Sequence, residues 1–359
     1  MIDIIKPRPS RTVVVAVLNW GIGHASRCLP LIKELQKSGK EVVVFSDGIA
    51  LEFLLLQFPG IKHFSVPSYN IRYRGKVLLL EMLFQLPSIA WAAFRERRIL
   101  RSWLKQNSCE RIFSDNRLGF VSKEIPSFYI SHQLNIQVGI LSPLASFLHY
   151  VYYRRFTAVL VPDQSQGDGL SGILAHPFAK EPKTYSFGLW SRFAWRLHPP
   201  SEKKNYVLIL LSGPEPARSA WERDLLLQMK ELNENSFVLV RGTTKEALKE
   251  RPENVAVYDL IGADLLESLI VNSKGVICRS GYSTLMDLAV LQAKAFVVAT
   301  PGQTEQLYLA DYHSSRNHVR TASQKNFSLE EAVREIEEGI FGFEKPQEAN
   351  FKELLARLP

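Results

Sequence analysis

Residues 276–310 read VICRSGYSTLMDLAVLQAKAFVVATPGQTEQLYLA, and they gather small and hydroxyl-bearing residues where a short apolar run gives way to a helical pattern. Ser280, Gly281, Ser283 and Thr284 fall at the start of that helix. Free N–H groups and the partial positive charge of a helix N-terminus favour an anion such as phosphate. A diphosphate can be held there without a metal. Asp287 follows about one turn along the same helix, and Gln303, Glu305 and Gln306 open the next, so acceptors for hydroxyl groups would converge beside the anion. The stretch reads as a nucleotide-sugar pocket. In the plainer alternative Asp287 is a solvated helix acid, and Glu305 and Gln306 only complement the helix dipole.

A second set of candidates lies in the first half. Gly21-Ile22-Gly23-His24 follows an apolar run, with Ser26 where a dinucleotide fingerprint would carry its third glycine and Asp47 after the next strand. NAD or FAD binding is therefore a weak rival. A histidine at a helix start is disfavoured as a cation, so His24 should stay neutral and able to take a proton, which suits a general base. Alternatively it only hydrogen-bonds its loop. Asp115 and Asn116, and His132, Gln133 and Asn135, come just past strand ends, where open α/β sheets place ligands. With Gly21 and Gly23 they form the candidate acceptor side. Ser212-Gly213 offers a hydroxyl and close backbone approach to phosphate, although Pro214 and Pro216 remove two N–H donors; Arg218 would supply charge. The bland reading is a rigid turn. His313 and His318 lack the spacing of a helical metal pair, and no metal site is expected.

These residues need strands that end at one edge and helices that begin there. Apolar runs at 13–18, 41–45, 62–66, 111–114, 127–130, 158–161 and 184–187 alternate with helical patterns at 25–35 and 47–58. The alternation restarts with strands at 206–211, 237–240, 255–258, 276–278 and 295–299, helices over 217–232 and 264–271, and a terminal helix at 348–358. Two α/β domains follow: 1–190, a linker at 191–204 containing Pro199-Pro200, and 205–359.

Segment 77–105 differs in character, being apolar in its first part and then carrying Arg95, Arg97, Arg98, Arg101 and Lys105. Glu81 and Pro87 interrupt it, so it falls short of a membrane span. It reads either as an amphipathic basic segment resting on an anionic membrane or as buried helices with a solvated end. The net charge of +8 suits phosphate-bearing ligands, anionic lipid or nucleic acid, yet no aromatic-basic interleaving supports the last. Cys28, Cys109 and Cys278 are scattered and suggest no disulfide framework, and no export signal is read, so a cytoplasmic location fits, with peripheral contact at the inner membrane face.

GIGHASR, SHQLN, CRSGYSTLMDLA and TPGQTEQLYLA together resemble the GT-B glycosyltransferases, and within them MurG and its relatives in glycosyltransferase family 28. The resemblance spans about residues 13–312 and is most specific in the second half. It implies two Rossmann-like domains facing across a cleft, with a UDP-sugar on the second and a hydroxyl acceptor on the first. It implies inverting transfer of a hexose or N-acetylhexosamine without metal or other cofactor. Asp287 then matches the position that binds the ribose diol, Glu305 and Gln306 the pair on the donor sugar, and Ser283 and Thr284 the phosphate contacts. Leu260 and Ile261 would lie near the base. His24 matches the histidine beside the reacting hydroxyl, and 132–135 the segment facing the acceptor. The chain departs from the family in Leu211-Ser212-Gly213-Pro214 and in HQLN, which lacks an acid, so a lipid-linked muramoyl-peptide acceptor does not carry over directly. GIGHASRCLPL also resembles nucleotide-sugar hydrolases of pseudaminic-acid synthesis, where the histidine would activate water; a non-catalytic nucleotide-binding protein is the remaining alternative.

Overall fold

The computed structural model describes residues 11–69, 78–164, 167, 169–193, 204–213, 215–244, 250–347 and 349–359, and of 78–86 only the backbone. Positions 67–76, whose composition reads as a polar, basic loop, lie outside these residues from position 70 onward, as do Val77, Pro214 and positions 194–203 of the linker.

The first domain opens with β1 (Thr12–Val17), α1 (Ile22–Lys37), β2 (Glu41–Ser46), α2 (Gly48–Gln57), β3 (Lys62–Ser65) and α3 (Leu78–Leu104). It continues with β4 (Arg111–Asp115), β5 (Ser127–Ile130), α4 (Ser142–Tyr153), β6 (Ala158–Val161) and β7 (Thr184–Ser186). All seven strands are parallel, in the order β3-β2-β1-β4-β5-β6-β7. A parallel strand covered by helices on both faces must be apolar throughout, and Val13, Val14, Val15, Ala16 and Val17 are all fully buried. Burying each such valine contributes about 1.5–3 kcal/mol. The order reverses at β1, which pairs with β2 through Val14↔Val43 and with β4 through Val14↔Ile112. The crevice beyond those two strand ends is where such a sheet can take a ligand.

The second domain repeats the plan: β8 (Val207–Leu210), α5 (Ala217–Glu231), β9 (Phe237–Val240), β10 (Val255–Tyr258), α6 (Ala263–Asn272) and β11 (Val276–Cys278). It ends with α7 (Tyr282–Val290), β12 (Ala295–Val298), α8 (Thr304–Ser315), β13 (Arg320–Ala322), α9 (Leu329–Glu338) and α10 (Phe351–Arg357). Its sheet, β10-β9-β8-β11-β12-β13, is again parallel and reverses between β8 and β11. Helix α10 returns to the first domain, where the Arg111 guanidinium donates to the carbonyls of Leu355 and Leu358 and Phe351 packs on Trp190 with centroids 5.1 Å apart.

Within segment 77–105, Leu78–Leu104 form one helix, α3, with Pro87 inside it. Among the described residues no helix is long and apolar enough to cross a membrane. Its C-terminal half is pinned by fully buried Glu96, which accepts from Arg117 Nη1 at 2.7 Å, the Tyr69 hydroxyl at 2.7 Å and Gly119 N–H at 3.0 Å. Helices α4 and α9 and strand β13 are elements that the sequence reading did not pick out.

Candidate functional site

A cavity of about 330 Å³ lies between the domains, over both sheet reversals. From the first domain it is lined by Gly21, Gly23, His24, Asn116, His132 and Gln133. The second contributes Ser212 and Gly213 after β8, Gly281, Ser283 and Thr284 at the start of α7, and Gln303, Glu305 and Gln306 at the start of α8. Most of the sequence-predicted residues are thus brought together. The domains touch closely here: Ser283 Oγ donates to the Gly23 carbonyl at 3.0 Å, and a Cβ at position 23 would lie 3.1 Å from that oxygen. Gly213 has φ +104, open only to glycine without strain, which lets the β8 loop turn its backbone toward the cavity.

His24 stands in the first turn of α1, and Arg27, three residues later, lies on the same face. His24 Nδ1 is 2.5 Å from Asp115 Oδ1 at the end of β4. Asp115 is fully buried and takes Arg27 Nε at 2.5 Å and Nη2 at 2.6 Å. Burial alone would raise the Asp115 pKa, but Arg27 and His24 outweigh it and hold the carboxyl well below the usual range. His24 Nδ1 lies between ionised Asp115 and Arg27 Nη2, which is 2.8 Å away; the shorter contact, to Asp115, sets Nδ1–H as the donor, with Nη2 directing no hydrogen bond at it, and leaves Nε2 as the ring atom open to a proton. Burial, and then the Arg27 cation, lower the His24 pKa against the opposing pull of Asp115, so the ring is neutral near pH 7.

Arg27 also reaches His132, its Nη1 lying 2.8 Å from His132 Nδ1. A guanidinium only donates, so Nδ1 accepts and Nε2 carries the ring proton, directed at Glu305 Oε1 across the interface at 2.8 Å. The imidazole stacks on Tyr282 with centroids 4.2 Å apart and planes within 7°. Glu305 is held below its ordinary pKa: burial raises it, but His132, then His24 and Arg27, prevail. Sequence reasoning missed Arg27, whose role depends on partners 88 and 105 residues away.

Several predicted residues are placed differently. Asp287 does not line the cavity; it is 2% exposed and takes Ser191 Oγ at 2.7 Å and Arg192 Nε at 2.8 Å. The face of α7 that bears Ser283 and Asp287 meets Gly23 of the first domain and Arg192 of the linker. That arginine walls a smaller recess of about 50 Å³ with Leu260, Ile261, Ser283 and Thr284. Arg218 is buried behind the site, its charge engaged by Glu215 at 2.8 Å and Glu222 at 3.3 Å. Ser280 is also buried, and its hydroxyl donates to the Gln306 carbonyl at 2.7 Å. The Gln306 Oε1 accepts from Thr300 N–H at 2.8 Å. Asn135 braces its own loop through Ile173 and Ser146.

The outer wall was not foreseen. Tyr129 donates to Asn116 Oδ1 at 2.6 Å and accepts from His149 Nε2 at 2.9 Å. Burial lowers the His149 pKa to about 4 against the opposing pull of the Leu134 backbone. Ile89 of α3 and Ile136 and Val138 before α4 give this side of the cavity an apolar lining. Among the described residues no group of three His, Cys, Asp or Glu side chains could hold a metal ion.

Comparison with known proteins bears on this arrangement. Residues 222–358 match the family model of the glycosyltransferase family 28 C-terminal domain. An uncharacterized glycosyltransferase of Methanosarcina mazei is 22% identical over 324 residues, covering 82% of this chain and 81% of that one. The solved structure of the glycotransferase of kitacinnamycin superposes with a TM-score of 0.61 at 16% identity, over 92% of this chain and 91% of that one. CalG4, the calicheamicin glycosyltransferase, gives 0.60 at 12% identity with the same coverage. Phytolacca americana UGT2, solved with UDP-2-fluoro-glucose and pterostilbene, gives 0.60 at 13% identity, over 93% and 91% of the two chains. Two parallel Rossmann-like sheets facing across a cleft are the GT-B fold, as the sequence led us to expect. The chain has the GT-B fold and is similar to glycosyltransferases of that type, and its second half matches the family 28 C-terminal domain.

Proposed function

We propose that the chain moves a hexose or N-acetylhexosamine from UDP to a hydroxyl with inversion and without a metal, His24 acting as general base. The observation that carries this reading is the His24–Asp115 pair: Nδ1 is engaged, and the free Nε2 belongs to a ring that lines the same cavity as the α7 N-terminus. Removing a hydroxyl proton as the acceptor attacks the anomeric carbon is the task such an imidazole suits. The α7 first turn and the Ser212-Gly213 backbone offer N–H groups to the diphosphate and to the charge that develops on departing UDP. The nucleoside enters the smaller recess beside Leu260, Ile261 and Arg192, and the donor sugar faces Glu305 and Gln306.

The acceptor side favours a hydroxyl carried on an apolar group, as in a lipid-linked substrate. Ile89, Ile136 and Val138 line the cavity there, and the two helices beside them turn apolar residues outward. Trp91 and Phe94 on α3 are more than half exposed, as is Leu144 of α4; Ile140, just before α4, is 95% exposed. Arg98, Arg101, Arg154 and Arg155 are exposed nearby. Apolar side chains flanked by cations suit an anionic bilayer. Vesicles containing phosphatidylglycerol should sediment the protein at low salt, vesicles of phosphatidylcholine should not, and Leu144→Asp with Phe147→Asp should abolish the difference.

The central test measures nucleotide release from UDP-, dTDP-, GDP- and CMP-sugars, with and without hydroxyl acceptors. Turnover of a UDP-sugar that depends on acceptor is the expected result. Equally fast release of free sugar in water would instead favour the hydrolase, and binding of dTDP- or CMP-sugars alone would overturn the donor assignment.

A further inference from the structure

We propose that Arg27 is a positioning residue through which the donor-side carboxylate Glu305 governs the base, the path running His24–Asp115–Arg27–His132–Glu305 from one domain to the other. This inference rests on the reading of His24 as base. Each link is a direct hydrogen bond: 2.5 Å from His24 to Asp115, 2.5 and 2.6 Å from Arg27 to Asp115, 2.8 Å from Arg27 to His132, and 2.8 Å from His132 to Glu305.

The polarity of the path is fixed by donor chemistry. Arg27 can only donate, so both Asp115 and His132 Nδ1 must accept from it, and His132 must then donate to Glu305. His132 therefore has no ring lone pair left for acid–base work; its part is to connect. Arg27 has a second effect through Nη2, which lies 2.8 Å from His24 Nδ1 and opposes the imidazolium. A shift of Arg27 away from Asp115 would weaken both the orientation of the imidazole and this opposition. Side chains that contribute to such a shift come from each element at the junction. Cys28 donates from α1 to Asp115 at 3.4 Å, and Tyr282 stacks on His132 from α7. Glu305 belongs to α8 and is otherwise placed to meet the donor sugar. A sugar hydroxyl that takes Glu305 Oε1 competes with His132 for it, and the change is passed to Arg27.

The path buries a guanidinium between a carboxylate and an imidazole. Arg27 and Asp115 are at most 1% exposed, and His132 is 6% exposed. In such surroundings displacing one member is felt by the next, because water cannot replace the lost bond.

The test is a cycle on the full-length protein, following the imidazole resonances of His24 by NMR through a pH titration alongside steady-state turnover. Arg27→Gln should raise the His24 midpoint by about one pH unit or more, since a cation in contact is removed. Glu305→Gln should move it the other way. In the Arg27→Gln background the Glu305→Gln shift should shrink to less than half, because the connecting residue is gone. Equal shifts in both backgrounds would mean that Glu305 acts on His24 directly through space and would overturn the proposal. Should Arg27→Gln fail to fold, Arg27→Lys and His132→Phe serve the same cycle, the first keeping a charge and the second keeping the stacking on Tyr282 while losing both ring nitrogens. The NMR readout does not depend on turnover, so a protein inactive on every nucleotide sugar, with the coupling intact, would sink the transferase reading and leave the path standing.

Discussion

The two sheet reversals that face each other across the cleft solve their parts of the problem with different materials. At the β8/β11 reversal the second domain presents backbone and small side chains: Gly213 with φ +104, Gly281, Ser283 and Thr284, and the first turn of α7. At the β1/β4 reversal the first domain presents a cluster of titratable and charged groups, the half-buried His24 backed by buried Arg27, Asp115 and His132. A main-chain cradle holds a constant group such as diphosphate and needs only correct backbone geometry. A base must be tuned, and tuning takes charges fixed by other charges. The difference teaches that local sequence suffices to specify the one, whereas the other has to be assembled from remote parts of the chain.

Four experiments would break or sharpen that contrast. The largest effect is expected from His24→Ala, which should lower turnover on the order of 10²–10⁴-fold and leave UDP affinity nearly unchanged by calorimetry; loss of both would merge the two roles. Next is Asp287→Ala. Leaving Arg192 buried without its partner should cost about 3–5 kcal/mol in denaturant unfolding, with weaker UDP binding as a consequence. If UDP affinity fell with stability unchanged, Asp287 would be a direct ligand after all. Third is pH. Catalysis needs neutral His24, and because burial and Arg27 lower its pKa, the acid limb of kcat/KM should have its midpoint below the ordinary value of 6.5, with activity lost as pH falls through it. A midpoint above 6.5 would show that Asp115 outweighs Arg27. The smallest effect belongs to Ser283→Ala, which removes the bond to the Gly23 carbonyl and should weaken donor binding or stability by about 0.5–1.5 kcal/mol.

What could be read from the sequence follows the same division. Parallel strands buried on both faces are continuous apolar runs, so β1, β2, β8 and β12 were legible, and glycines at their ends marked the turns. Helix α4 was missed although Leu144, Phe147, Leu148 and Val151 recur at i, i+3, i+4 and i+7, a helical stripe that faces outward instead of into the core. Helix α9 was legible and overlooked: Ser328 accepts from Glu331 N–H, a capping signal visible in SLEE. Asp287 was assigned to the correct helix, but spacing along a helix cannot say whether its face meets a ligand or another domain. Arg27 sits in plain view beside His24, and nothing local announces that it joins Asp115 to His132.

The return of α10 to the first domain has a mechanical consequence. The chain passes between the domains twice, and the two passages are stitched to each other, Leu189 N–H to the Gln347 carbonyl at 3.1 Å and Asn350 N–H to that of Phe187 at 3.3 Å. A single tether would let one half swivel freely against the other. Two tethers bound side by side act as a strap that resists swivelling more than a single tether would and leaves bending about one axis as the easier displacement.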